Sequence, residues 1–142
     1  MFMIRMKAFF VFFVAFVIGL AVFYFSIQEL IEYYDFHNVI IYSWLDCFAL
    51  LSSAFILIFS VYPGHVAFYG VHIPAGKSKS LYKVALIFFV MSLIVPIVFS
   101  FVYVNKIESK GYIKCQGIPS GWMPGMATKY AASEVLCSKK DP

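Results

Sequence analysis

The chain has 142 residues, 63% of them hydrophobic, 20% aromatic and only 13% charged. A soluble domain carries about 25% charged residues, so the composition points to lipid as the solvent and excludes an ordinary water-soluble domain. The formal charge of +4 makes no nucleic-acid surface, because the 11 basic residues flank apolar runs instead of gathering in one patch.

Three apolar runs set the architecture, each judged against the roughly 20 helical residues that cross a hydrocarbon core about 30 Å thick. Arg5 and Lys7 precede residues 8–27, which carry no charge. Basic residues before an apolar run also describe a signal peptide, and Gly19-Leu20-Ala21 offers a small-x-small cleavage site. The apolar character continues through residues 22–27 without a polar break, which favours a retained first helix. Residues 28–38 bring Glu29, Glu32 and Asp35 and no Lys or Arg. These acids share a face if the helix runs on past the lipid, and they read as a solvated helix end in preference to a cation site completed by His37. The second run, residues 39–62, is interrupted by Asp46. Its uncharged part alone is short for a span, so the span is placed at about residues 42–62, with Trp44 as interfacial anchor and Pro63-Gly64 as its end. Residues 63–83 read as a loop rich in Gly, Pro and Lys, and His65 and His72 are too few for a metal motif. The third run, residues 84–104, is again free of charge.

Beyond the third run, Gly111 is placed to stop the helix. Residues 112–115 look extended, Pro119, Gly121, Pro124 and Gly125 make a structured loop, and residues 126–136 are compatible with a short helix. So small a unit has too little core to stay folded unaided. Cys115 and Cys137 are placed to staple it, in an oxidising compartment, with two unpaired thiols as the alternative. Trp122 and Met123 are large apolar groups free to pack this unit or, with Tyr130, to meet a partner. Cys47 reads as a small apolar packing residue.

Polar and small residues recur inside the runs. Asp46, Ser53 and Ser60 repeat every seven positions, Ser43 lies one turn before Asp46, and Ser92, Pro96 and Ser100 repeat every four. With Ala15 and Gly19 in the first run, these faces are expected to meet in a bundle, since helices in lipid pack through small residues and side-chain hydrogen bonds. Pro96 is expected to kink its helix, with the freed carbonyl covered by neighbouring helices or Ser92. Asp46, near an interface, can reach water or bond Ser43, Tyr42 or a tyrosine of the first loop. An ion or proton pathway through it is the competing reading, weakened by the lack of a basic partner in another span.

The expected fold is therefore an all-α membrane protein. Three transmembrane helices form a bundle over residues 1–104, and residues 105–142 make a small disulfide-stapled extracytoplasmic tail. Arg5, Lys7, Lys77, Lys79 and Lys83 fall on one side, against Lys106, Lys110 and Lys114 on the other. The positive-inside rule then places the N-terminus in the cytoplasm. No phosphate-cradling glycine loop, HExxH, nucleophile elbow or zinc-spaced Cys/His set is present, so no enzyme activity, metal or cofactor is expected. A homo-oligomer is compatible with three helices.

The passage SFVYVNKIESKGYIKC, residues 100–115, followed by a proline-containing loop and KYAASEVLC, residues 129–137, resembles the C-terminal region of a family of small bacterial inner-membrane proteins known as domain of unknown function 1240. The resemblance rests on Tyr103-Val104-Asn105 closing the last span, the Gly111-Tyr112 pair, and two cysteines bracketing a short loop. It covers roughly the last 40 residues. It implies an inner-membrane location and no established activity, while the periplasmic side of the C-terminus rests on the charge count and the cysteines. Members look to be encoded near toxin-delivery loci, which suggests an immunity protein that binds and neutralises a toxin acting in the membrane or periplasm. The alternatives are an accessory subunit of a membrane complex, for which the small-residue faces speak, and a channel or transporter component using Asp46.

Overall fold

The computed structural model describes residues 2–138. Helix α1 runs from Phe2 to Asp35, a rod of about 51 Å at 1.5 Å per residue. It outlasts the lipid and carries Glu29, Glu32 and Asp35 out on its last turns. Helices α2 (Trp44–Tyr69) and α3 (Ala75–Ser109) follow. All three helices are long and apolar enough to cross a membrane, and most of their large side chains face outward.

Helix α2 starts and stops through identifiable caps. Ser43 is extended and its hydroxyl accepts from the Leu45 N–H at 3.1 Å, satisfying one of the donors a helix start leaves free. At the other end Gly70, at φ 73°, donates to the Val66 carbonyl at 2.9 Å, a left-handed close that glycine adopts without steric cost. Pro63-Gly64 does not end the helix, contrary to the sequence expectation. In an apolar surrounding, losing one N–H at Pro63 costs less than unwinding a turn and leaving several backbone groups unpaired. Most of the expected loop is therefore helix, and the connection between α2 and α3 shrinks to residues 70–74.

Helix α2 is the central element, packing against α1 on one side and α3 on the other. The buried residues of α1 are Gly19, Ser26 and Tyr33, seven apart, and those of α3 are Ala85, Ser92, Pro96, Tyr103 and Ile107, at steps of seven and four. Such spacing keeps one stripe facing a neighbour, and the small members let backbones approach closely. At Gly19 an added Cβ would lie 2.8 Å from Leu57 Cδ2, and at Gly64 2.8 Å from the Phe12 ring. Arg5 ties the start of α1 to the end of α2 by donating to the Phe68 carbonyl at 2.8 Å and the Ala67 carbonyl at 3.3 Å.

Residues 39–43 are not the first turn of the second helix. They form strand β1 (Val39–Ser43), whose run of β-branched and aromatic residues suits a half-buried pleat. It pairs antiparallel with β3 (Ala127–Ala131), from Val39 opposite Ala131 to Ser43 opposite Ala127. The short β2 (Ile113–Lys114) pairs on the other side of β3, giving the order β1-β3-β2. In the tail region expected to be a short helix, Ala127–Ala131 is instead the central strand, and only Glu134–Cys137 is helical as α4. The sheet, the end of α1 and the end of α3 enclose a core of Tyr33, Ile40, Tyr42, Tyr103, Ile107 and Tyr130. The ring centroids of Tyr33, Tyr42 and Tyr103 lie 5.2–5.5 Å apart. The cap is therefore composite, built from the segment between the first two helices as well as from the tail.

Candidate functional site

Tyr33, one helical turn beyond Glu29, is the hub of the cap. Its hydroxyl donates to the Asp46 carboxylate and accepts from the Ser43 backbone N–H at 3.0 Å. Its own carbonyl accepts from the Tyr103 hydroxyl at 2.7 Å. One phenol thus ties the end of α1 to the start of α2, and a second ties α3 to α1. Tyr112 adds a third tie by donating to the carbonyls of Phe36 and His37 at 2.8 and 3.0 Å. Phe36 itself turns the chain with φ 45°, a conformation costly for a bulky residue, and the Lys110 ammonium sits 3.4 Å from its ring centroid.

Beside this hub lies a cleft of about 360 Å³ lined by Glu29, Glu32 and Tyr33 of α1, by His37 and residues 39–41, and by Trp122 of the tail loop. Its floor is apolar and one wall carries two carboxylates, with Asp46 within electrostatic reach of Glu29. A concave apolar surface with a few convergent polar groups is the usual form of a recognition site. Among the described residues no group of three or more His, Cys, Asp or Glu side chains is arranged to hold a metal ion.

The residues singled out from the sequence fall into three places. Cys115 and Cys137 form a disulfide with their Cα atoms 5.3 Å apart, anchoring α4 to the end of β2. Ser43 caps α2 and Asp46 receives the Tyr33 bond, so both belong to the hub. Trp122 lines the cleft, Met123 is 66% exposed, and Tyr130 is buried in the cap core at 3% exposure. Burial pushes the Tyr130 phenol above its ordinary range, and the nearby Glu108 carboxylate acts the same way.

Three of the span serines act within their own helices. Ser53, Ser60 and Ser92 donate back to the carbonyls of Leu50, Leu57 and Phe89 at 2.6–2.7 Å. They serve as small packing groups with their polarity satisfied locally, and Ser92 bonds Phe89 instead of the carbonyl that Pro96 releases. Ser92, Pro96 and Ser100 border an apolar groove of about 520 Å³ whose far wall is Trp44 and Phe48. The Trp44 indole donates to the Gly125 carbonyl at 3.3 Å, linking groove and tail loop. The sequence reading missed Tyr33, Ile40 and Ile41 as site residues. Two signals pointed to Tyr33: the expectation that Asp46 could bond a tyrosine of the first loop, and its place seven beyond Ser26 and fourteen beyond Gly19.

Three helices of membrane-spanning length and composition, with a composite disulfide-stapled cap at one end, define a small polytopic membrane protein. A family model described as a protein of unknown function, DUF1240, matches residues 40–138, and the chain belongs to that family. The matched region runs from the second residue of β1 through α2 and α3 to just past the end of α4, and so takes in part or all of every strand of the cap. No curated protein and no solved structure is detectably similar to the chain.

Proposed function

We propose that this is an immunity-type protein of a bacterial inner membrane, which protects its own cell by binding a toxin that acts in the membrane or periplasm. The observation that carries the reading is the cap cleft, a concave surface held rigid by the Tyr33 hub and by the Cys115–Cys137 disulfide. A rigid concave surface loses little freedom on binding a protein partner. The distribution of charge supports an extracytoplasmic cap. Arg5, Lys7, Lys77, Lys79 and Lys83 cluster at the opposite end of the helices, which carries no acid among the described residues, as cytoplasmic loops do. A disulfide in the cap fits the same orientation.

The test is to express a candidate toxin, sought among the genes neighbouring this one, with and without the chain. Survival that depends on the chain supports the proposal, and equal killing in both cultures removes it. Orientation is read separately with a membrane-impermeant maleimide, which on this proposal labels Cys115 and Cys137 from outside the cell only after reduction.

The groove bordered by Ser92, Pro96 and Ser100 favours a second reading, an accessory subunit that packs a partner's transmembrane helix there. That reading requires stoichiometric co-purification with another membrane protein in cells that lack the toxin.

A further inference from the structure

Strand β1 is an outer strand of the sheet, and half of its backbone groups face away from β3. The Asn38 carbonyl accepts from the Ala132 N–H at 2.9 Å, and on the far side of β3 the Cys115 N–H donates to the Lys129 carbonyl at 2.9 Å. With the β1–β3 register, antiparallel alternation turns the N–H and C=O of Ile40 and Tyr42 toward β3 and those of Val39, Ile41 and Ser43 outward. The Tyr33 hydroxyl takes the outward N–H of Ser43. The outward groups of Val39 and Ile41 meet no protein partner among the described residues, and both residues line the cap cleft.

The cleft therefore has an open strand edge on one wall and Glu29 and Glu32 on the other, with Trp122 alongside and neither Lys nor Arg in its lining. An open edge is a template for another strand, and two carboxylates facing it call for a cation. We infer that the cleft takes an extended, basic segment of a protein partner, added to β1 as a further strand, with a Lys or Arg side chain set against Glu29 and Glu32. Backbone bonds to Val39 and Ile41 supply the attachment, and the acidic wall and Trp122 supply the preference for side chains. Tyr33 closes the edge at its Ser43 end and so limits the added strand to a few residues. The inference rests on the partner-binding reading above and names the chemistry of the partner.

The experiment uses the full chain in nanodiscs of zwitterionic phosphatidylcholine, to which basic peptides have little attraction. The probes are an alternating Lys-Val heptapeptide, its Glu-Val counterpart, and the Lys-Val peptide with every backbone amide methylated. Binding is read from Trp122 fluorescence in a Trp44→Phe background and from amide exchange. The Lys-Val peptide binds saturably and slows exchange at Val39 and Ile41 by about tenfold or more. The Glu-Val and methylated peptides do not. The Glu29→Gln/Glu32→Gln chain binds about tenfold more weakly, whereas Glu108→Gln/Glu134→Gln, the same loss of two charges outside the cleft, binds as before. Ile41→Pro removes an outward N–H without touching the ladder to β3, and it abolishes binding while exchange at Ile40 and Tyr42 stays slow. Should Ile41→Pro unfold the sheet, the methylated peptide decides.

Absence of saturable binding by the Lys-Val peptide, equal binding by the acidic or methylated peptide, or binding without protection at Val39 and Ile41 overturns the inference. Those outcomes with toxin protection intact remove the strand-addition site alone. Peptide binding with protection lost removes the immunity reading alone.

Discussion

The Tyr33 hydroxyl and the Asp46 carboxylate are hydrogen-bonded across the junction of α1 and α2, and the same hydroxyl receives the Ser43 N–H. Replacing Tyr33 by Phe leaves a half-buried carboxylate and a buried backbone N–H without their partner. The expected loss is about 1–3 kcal/mol, read from thermal unfolding in detergent. Asp46→Asn alone costs less, since an amide can still accept from the phenol. A double-mutant cycle between Tyr33→Phe and Asp46→Leu should return a coupling of about 1 kcal/mol or more. Additive effects would mean that the bond contributes nothing.

The close approaches at Gly19 and Gly64 make a prediction about helix packing. Gly19→Val drives a side chain into Leu57, and Gly64→Val drives one into the Phe12 ring. Each should destabilise the α1–α2 interface by about 1–3 kcal/mol. Leu57→Ala in the Gly19→Val chain should recover part of the loss, because it empties the space the new methyls need. Gly76 meets nothing within 4 Å, so Gly76→Ala should leave stability unchanged or slightly raised.

Loss of the disulfide should affect the cap and spare the spans. In the chain-entropy picture, closing the 22-residue step between Cys115 and Cys137 stabilises the folded tail by about 3 kcal/mol. A Cys115→Ser/Cys137→Ser chain is expected to lose protection from amide exchange at Cys115 (now Ser) and Ala131 first. Helical signal from α1 to α3 should stay the same, as measured by far-UV circular dichroism.

At the opposite end, Arg5 and Gly70 close α2 together. Gly70 lies at φ 73° and any Cβ there would meet the Arg5 side chain at 3.3–3.5 Å, so Gly70→Ala is strained by its backbone as well as crowded. Arg5→Ala removes the donor that reaches the Phe68 and Ala67 carbonyls. Both changes should fray the last turn of α2, with exchange at Tyr69 faster by about tenfold, while the cap is untouched. Arg5→Lys should rescue only in part, since an ammonium lacks the planar fork that spans two carbonyls.

Sequence periodicity reads well wherever the solvent is lipid. Residues 8–27 and 84–104 are visible as spans because side chains facing lipid must be uncharged and nearly all apolar, a local requirement that needs no partner. The cysteine staple was legible for a related reason, since a tail with so little core needs one. The reading of Pro63-Gly64 as a stop failed because proline is weighed against water in a soluble chain, and here the helix has no water to unwind into. The start of the second span, placed near residue 42, lay two residues inside a strand, because Val-Ile-Ile-Tyr-Ser becomes a strand only when residues 127–131 come to lie beside it.

By itself, then, the amino-acid sequence determined the three apolar rods, the charge at their ends and the presence of a cross-linked tail. Each follows from composition over a single stretch. The tertiary structure alone decided that α2 lies in the middle, that Tyr33 and Asp46 meet, and that β1 joins the tail's sheet with one edge left open on an acidic cleft. Those are pairings between segments distant in the chain, and side-chain spacing within either segment carries no record of the other.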